Sequence, residues 1–247
     1  SGTPGDTYGT GGVSYGYDPA GRQTSVTDAL QHVQTFEYNA ASQQTRRVDA
    51  NNNAWVTEVD AAGRVTRTLR PAVTMRNADN TLSQRKLETV YTYTALGQVE
   101  TVTTKWDGTT FDQRVVQYGY NAAGAQTTVT VDPGAGKLNL TTTQYYDAQG
   151  RVTKVVNAKG DGSWTVYGRD GQALYQINAL GEVTGLTYNA QGEVVSTRRY
   201  NGGRVNVSGF GEVVTQAQLE ALLPAITSTT DALSYVVSGT TSDGSPT

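Results

Sequence analysis

Residues 145–160 read YYDAQGRVTKVVNAKG. The stretch holds a tyrosine, an acid, a two-residue gap, Gly-Arg, a β-branched run and a closing Asn-x-x-Gly. Much of it returns 21 residues away in the chain, and looser copies lie further out: Tyr17-Asp18-x-x-Gly21-Arg22 is one and Tyr188-Asn189-x-x-Gly192-Glu193 another. Taking the residue four before each turn glycine as the phase marker gives Tyr17, Tyr38, Val59, Tyr93, Tyr120, Tyr146, Tyr167 and Tyr188. The spacings are 21, 21, 34, 27, 26, 21 and 21, and seven of the eight turn positions are glycine, the exception being Ser42. A repeat of this kind decides the fold before any single residue does, because each copy is one supersecondary unit.

Each copy carries two turns. The first is clearest at Asp18-Pro19-Ala20-Gly21. Asp suits position i of a type I turn, Pro presets φ at i+1, and Gly supplies the left-handed residue that follows. That combination is a hairpin connection with a built-in bulge. The second turn falls seven residues after the glycine, as at Asp28-Ala29-Leu30, Asp49-Ala50-Asn51, Asn157-Ala158-Lys159-Gly160 and Asn178-Ala179-Leu180-Gly181. Between turns, runs such as Val152-Thr153-Lys154-Val155-Val156 have the β-branched content and partial alternation of short strands. One 21-residue copy therefore reads as one up-and-down strand pair. The long spacings read as insertions at the second turn: a hairpin tipped at Asn77-Ala78-Asp79-Asn80, a connection at Lys105-Trp106-Asp107-Gly108-Thr109, and a loop at Asp132-Pro133-Gly134-Ala135-Gly136. All of them would leave the sheet at the same edge.

Composition agrees with polar β-structure. Hydrophobic residues make up 36% of the 247, too few for a tightly packed α/β enzyme, while fifteen tyrosines argue against disorder. A net charge of −3 lacks the basic footprint of a nucleic-acid binder. With no cysteine, disulfides and thiolate metal sites are excluded. No apolar run reaches the length of a membrane span and no signal peptide is visible. The opening Ser1-Gly2-Thr3-Pro4-Gly5 has no Met and reads as part of a longer protein.

The chain divides into a Gly-rich flexible lead-in (1–12), the repeat region (13–200), a C-terminal extension (201–237) and a linker-like tail (238–247). Within the extension, residues 215–223 (TQAQLEALL) have apolar positions at 219, 222 and 223, with Thr215 and Gln218 placed as a capping box. Pro224 ends that helix, and a weak strand, 233–237, follows. Eight two-stranded copies plus insertions give roughly sixteen to twenty strands, on the order of 80–95 Å along the hydrogen-bonding direction. Strands such as Arg22-Gln23-Thr24-Ser25-Val26 are polar on both faces. A wide, curved antiparallel sheet around a hydrated interior fits them better than a dry sandwich. The recurring tyrosines are expected to stack, each on its counterpart in the next copy.

The YDxxGR motif with its DAxGxxT-type second turn resembles the RHS/YD-repeat family over about residues 15–200. That family includes bacterial polymorphic toxins, shell components of insecticidal toxin complexes and animal teneurins. The resemblance implies a long β-sheet that spirals into a hollow shell. It also implies a secreted or cell-surface bacterial setting, with the remainder of the shell and an enclosed C-terminal toxin domain as partners. The element Thr197-Arg198-Arg199-Tyr200, followed by a helix, also resembles a segment of large exported members. Toxins of the family cleave themselves near a DPxG motif. Asp18-Pro19-Ala20-Gly21 has those letters, yet it lies in phase as a first turn and reads as repeat.

Nothing in the sequence marks a catalytic residue, a cofactor site or a metal site. The recurring acids Asp18, Asp60, Asp147 and Asp170 read as turn residues, because the GGxGxD rhythm of calcium-binding repeats is absent. The lone His32 reads as a surface strand or turn residue, and the Gly9–Gly12 stretch lacks the Lys-Ser/Thr of a phosphate loop. The reading is a non-enzymatic scaffold. Its alternative is an adhesion module that binds surface glycans or a target cell. Trp106 would then be the exposed stacking platform, while Trp55 and Trp164 pack along the sheet.

Overall fold

The structure, a computed structural model, describes residues 12–77, 79–107, 113–200 and 203–223. It contains sixteen strands: β1 (Ser14–Tyr17), β2 (Gln23–Thr27), β3 (Val33–Tyr38), β4 (Gln44–Val48), β5 (Ala54–Val59), β6 (Val65–Arg76), β7 (Leu82–Tyr93) and β8 (Val99–Trp106). They continue with β9 (Arg114–Tyr120), β10 (Gln126–Val131), β11 (Leu140–Tyr146), β12 (Val152–Val156), β13 (Gly162–Tyr167), β14 (Ala173–Ile177), β15 (Val183–Tyr188) and β16 (Val194–Arg199). Strand order in the sheet equals chain order, as the tandem hairpins require. The chain forms two compact units, residues 1–117 and 118–247.

Both turns of a repeat have one geometry. At the first, the Asp18 N–H donates to Arg22 O and the Gly21 N–H to Asp18 O, each at 2.9 Å; at the second, Asp28 N–H to His32 O and Gln31 N–H to Asp28 O repeat the pattern at 3.0 Å. All eight first-turn closing positions have positive φ, from 62° at Ser42 to 90° at Gly171. Ser42 shows that the requirement is conformational and that glycine is only the least costly way to meet it. The register shifts by one residue beside these turns, at Gly16/Tyr17, Glu37/Tyr38, Tyr145/Tyr146, Val166/Tyr167 and Thr187/Tyr188. These are the bulges that a type I turn with a left-handed closing residue produces.

In the first compact unit the 77–80 insertion extends β6 and β7 to twelve residues each, and the Asn77 N–H donates to Thr81 O at its tip. Ala78 and 108–112 lie outside the described residues. Neither face of this unit carries a fully buried apolar side chain among the described residues. The buried acid Glu88 accepts from Arg67 Nε at 2.8 Å and lies 4.0 Å from Lys105 Nζ, while Arg67 Nη1 donates to Glu58 at 2.8 Å. A cross-strand row of alternating charge thus occupies a place where a sandwich would put leucine or valine.

The second unit is different. The register aligns Lys154, Trp164, Ile177 and Val183 on one face of β12–β15, and residues 203–223 fold back over that face. Trp164, Val166, Ile177 and Val183 meet Val205, Val214, Leu219 and Leu223 in the core. The extension carries a 3₁₀ turn (Val207–Gly209) and the helix α1 (Gln216–Glu220). Thr215 is the N-cap, with the expected capping box to Gln218. α1 is shorter than the expected 215–223 because the Leu222 N–H turns to the Leu219 carbonyl at 2.8 Å, a tightened last turn. Residues 1–11 of the lead-in, Pro224, the expected strand 233–237 and the tail 238–247 lie outside the described residues.

Candidate functional site

The repeated motif is a joint. The Asp18 carboxylate accepts from the N–H groups of Ala20 and Arg22 at 3.0 and 2.9 Å, which fixes the turn. Its second oxygen accepts from Arg22 Nε at 2.7 Å. The Arg22 guanidinium then reaches the next repeat, donating to Asn39 O at 2.8 Å and lying 5.0 Å from the Tyr38 ring centroid. Arg64 lies over Tyr93 at 4.5 Å and Arg151 over Tyr167 at 4.4 Å in the same way.

The tyrosine completes the joint from the other side. Tyr38 donates its hydroxyl proton to Gln23 O at 2.8 Å, Tyr93 to Val65 O at 2.6 Å, Tyr167 to Val152 O at 3.0 Å and Tyr188 to Ala173 O at 2.8 Å; Tyr146 bonds Gln126 O. Each acceptor lies two residues after the preceding turn's closing residue, at the bulge. The expected stacking of each tyrosine on its counterpart is therefore corrected. Among the described residues Tyr17, Tyr38, Tyr93, Tyr146, Tyr167 and Tyr188 form no ring pair with one another. Tyr38, Tyr93 and Tyr167 instead carry an arginine on the ring face, and Tyr38, Tyr93, Tyr146, Tyr167 and Tyr188 anchor by the hydroxyl to a bulge carbonyl.

The residue after the turn glycine is thus an arm between repeats. Gln43 fills the position in the second repeat and donates to Gly63 O at 2.8 Å. Ala125 is too short to reach across, although Tyr146 still bonds Gln126 O there. Replacing Ala125 by Arg together with Asn121 by Asp should rebuild the joint. Thermal unfolding should then show a gain of about 0.5–1 kcal/mol, the scale of an exposed cation–π contact.

The acids are turn acids. Asp18 and Asp60 are held below the ordinary carboxylate range by the N–H of Arg22 and of Arg64, with the guanidinium of the same residue adding to it. At Asp147 burial pushes the value up, and the N–H and guanidinium of Arg151 more than offset it. A carboxyl with a depressed folded pKa contributes stability above its unfolded value, near 4, and loses it as pH falls through the folded value. The melting temperature should hold level from pH 7 to about 5 and fall below about pH 4, with a smaller fall in Asp147→Asn. Asp170 accepts from the Gln172 N–H at 3.1 Å in a turn headed by Gly168. Asp18-Pro19-Ala20-Gly21 makes the same bonds as the other first turns.

His32 is 60% exposed in its side chain, with Nδ1 at 2.9 Å from Asp28 Oδ2, a contact within one turn. Trp55 pairs with Arg47 at 4.3 Å and Trp164 is 5% exposed in the core. Trp106, expected to be exposed, is half-buried at the end of β8 opposite Leu87. Among the described residues no group of three or more His, Asp or Glu side chains could hold a metal, and no helix is long and apolar enough to cross a membrane.

The feature that sequence reasoning missed is the strap, residues 203–223, with the groove beside its root. Trp164 Nε1 donates to Gly211 O at 2.9 Å, the Val205 N–H to Gly181 O at 2.9 Å, and Tyr175 Oη to Glu220 Oε1 at 3.0 Å. Burial, and then the Glu220 carboxylate, push the Tyr175 pKa up, so it remains a donor. A groove of about 710 Å³ is bounded by Thr165, Gln176, Thr184 and Arg199, which form one row across β13–β16, and by Glu182 and Arg204. Asn178 Nδ2 and Arg204 hold Glu182 below the usual carboxylate range, so it stays ionised and has no proton to give. The groove offers hydroxyls, amides, the Arg199 guanidinium and the Glu182–Arg204 ion pair.

Residues 17–54 match the family model described as RHS Repeat. Similar solved structures include TcdB2-TccC3-TEV (14% identity, 77% of this chain and 11% of that one, TM-score 0.44). Others are the Photorhabdus luminescens Tc holotoxin pore (13%, 76% and 15%, 0.23) and a porin-like protein from Bacteroides uniformis (14%, 76% and 80%, 0.28). The chain thus spans a small part of the first two. Similarity at these scores fixes neither shape nor activity. No curated protein matches.

Proposed function

We infer from the RHS repeat that this chain carries at residues 17–54 that its sheet is a structural, non-enzymatic segment of an RHS/YD-repeat shell. The shell belongs to a secreted or cell-surface bacterial protein and encloses or presents a C-terminal toxin domain. The observation that supports this most is the joint. Asp, Arg and Tyr, the residues that could have formed a site, are spent on binding one hairpin to the next. Those joints let a sheet with little apolar core persist through many copies, since each repeat needs only its neighbours. Strands polar on both faces suit a wall with water on either side.

The test uses the parent protein whole. Under limited proteolysis its C-terminal domain should resist cleavage until the repeats are cut, and should be digested promptly once released. A C-terminal domain cut in the intact protein as fast as in isolation would overturn the enclosure.

A further inference from the structure

The five second turns that follow the common pattern place a left-handed residue at the same position: Gln31, Asn52, Asn80, Gly160 and Gly181. Three of the five are not glycine, so a side chain is compatible with the turn itself. Gly181 differs in its surroundings. A Cβ there would fall inside the van der Waals envelope of the Val205 carbonyl oxygen, with the Val205 carbonyl carbon and amide nitrogen at 3.1 and 3.2 Å. At Gly160, one repeat earlier, a Cβ would meet nothing within 4 Å. The strap lies directly on the backbone of turn 178–181 and makes a backbone hydrogen bond, Val205 N–H to Gly181 O, with that turn.

We propose that the strap is a separable closing device, docked on finished hairpins and seated by the bare backbone at Gly181. When it lifts, the apolar face of β13–β15 is uncovered while the hairpins stay paired. Three observations point this way. Strands β12–β16 pair in sequence, each with its chain neighbour, and none of these ladders includes a strap residue. Among the described residues the strap's polar anchors are few and lie along its length: Arg204 to Glu182, Val205 to Gly181, Gly211 to Trp164 and Glu220 to Tyr175. Its own regular structure is one 3₁₀ turn and one short helix, and its buried side chains point into the sheet. A segment of this kind opens as its own cooperative unit, below the free energy of global unfolding.

The test is a matched pair of substitutions in the whole chain. Gly181→Asn and Gly160→Asn place the same side chain at nearly the same φ (81° and 89°), in a residue type that Asn52 and Asn80 show the turn accepts. Only the first collides with the strap. Amide hydrogen exchange should be at least tenfold faster across 205–223 in Gly181→Asn, with β14 and β15 still protected, and unchanged there in Gly160→Asn. A milder variant, Tyr175→Phe, removes one anchor and should speed exchange a few-fold around α1 alone. Unchanged exchange across 205–223 in Gly181→Asn would overturn the proposal. So would equal effects of the two Asn variants, or joint loss of protection in the strap and β13–β16, which would make the strap an integral part of the sheet's fold.

Discussion

Leu219→Ala should lower the stability of the second compact unit by about 2–5 kcal/mol, the range for truncating a buried leucine in a core that cannot collapse around the loss. Leu219 is fully buried at the centre of α1 and packs in the cluster with Trp164, Val166 and Ile177. The upper part of the range is expected because the cluster is small and its sheet side is held rigid by ladder bonds. Chemical denaturation followed by hydrogen exchange would read it. The loss should concentrate in 203–223, with β13–β15 still paired and β1–β8 unaffected. A loss under about 1 kcal/mol would mean that the strap contributes little to the unit.

Tyr167→Ala is the larger of the joint substitutions. It deletes a half-buried ring, its hydroxyl bond to Val152 O and the face on which Arg151 rests. About 2–3 kcal/mol is expected, below the ~3–5 kcal/mol of a fully buried aromatic because the ring is partly solvated already. Tyr167→Phe keeps the ring and loses the hydroxyl alone, for about 0.5–1.5 kcal/mol. In both variants faster exchange should be confined to β12 and β13, since repeats hold their neighbours. Global loosening would contradict a chain of local joints.

Much of this was legible in the residues. Turn positions, strand pairs, insertion sites and the capping box of α1 each depend on chemistry within about four residues, which a single sequence displays. The joint was half legible. The recurrence of Tyr and Arg announced a structural role, but the pairing runs between repeats. Tyr38 meets Arg22 rather than its own Arg, since Gln43 holds that place. A period of 21 alone cannot say whether like residues meet like or cross over to unlike ones. The guess of tyrosine stacks failed at that step. The strap was least legible. Val205, Val214 and Leu219 are spaced at 9 and 5, matching neither helix nor strand period, and their partners lie 22 to 55 residues back in the sheet. The one local hint was Gly181, which in the sequence looks like any other turn glycine.

A double-mutant cycle between Arg151 and Tyr167 tests the central claim most directly, that the motif is a joint between successive repeats. Arg151→Met, Tyr167→Leu and the double variant would be compared by denaturant unfolding. The joint predicts that the two losses are not additive, with a coupling of about 0.5–1 kcal/mol. Additivity within about 0.3 kcal/mol would contradict it, leaving Arg151 to serve only its own turn.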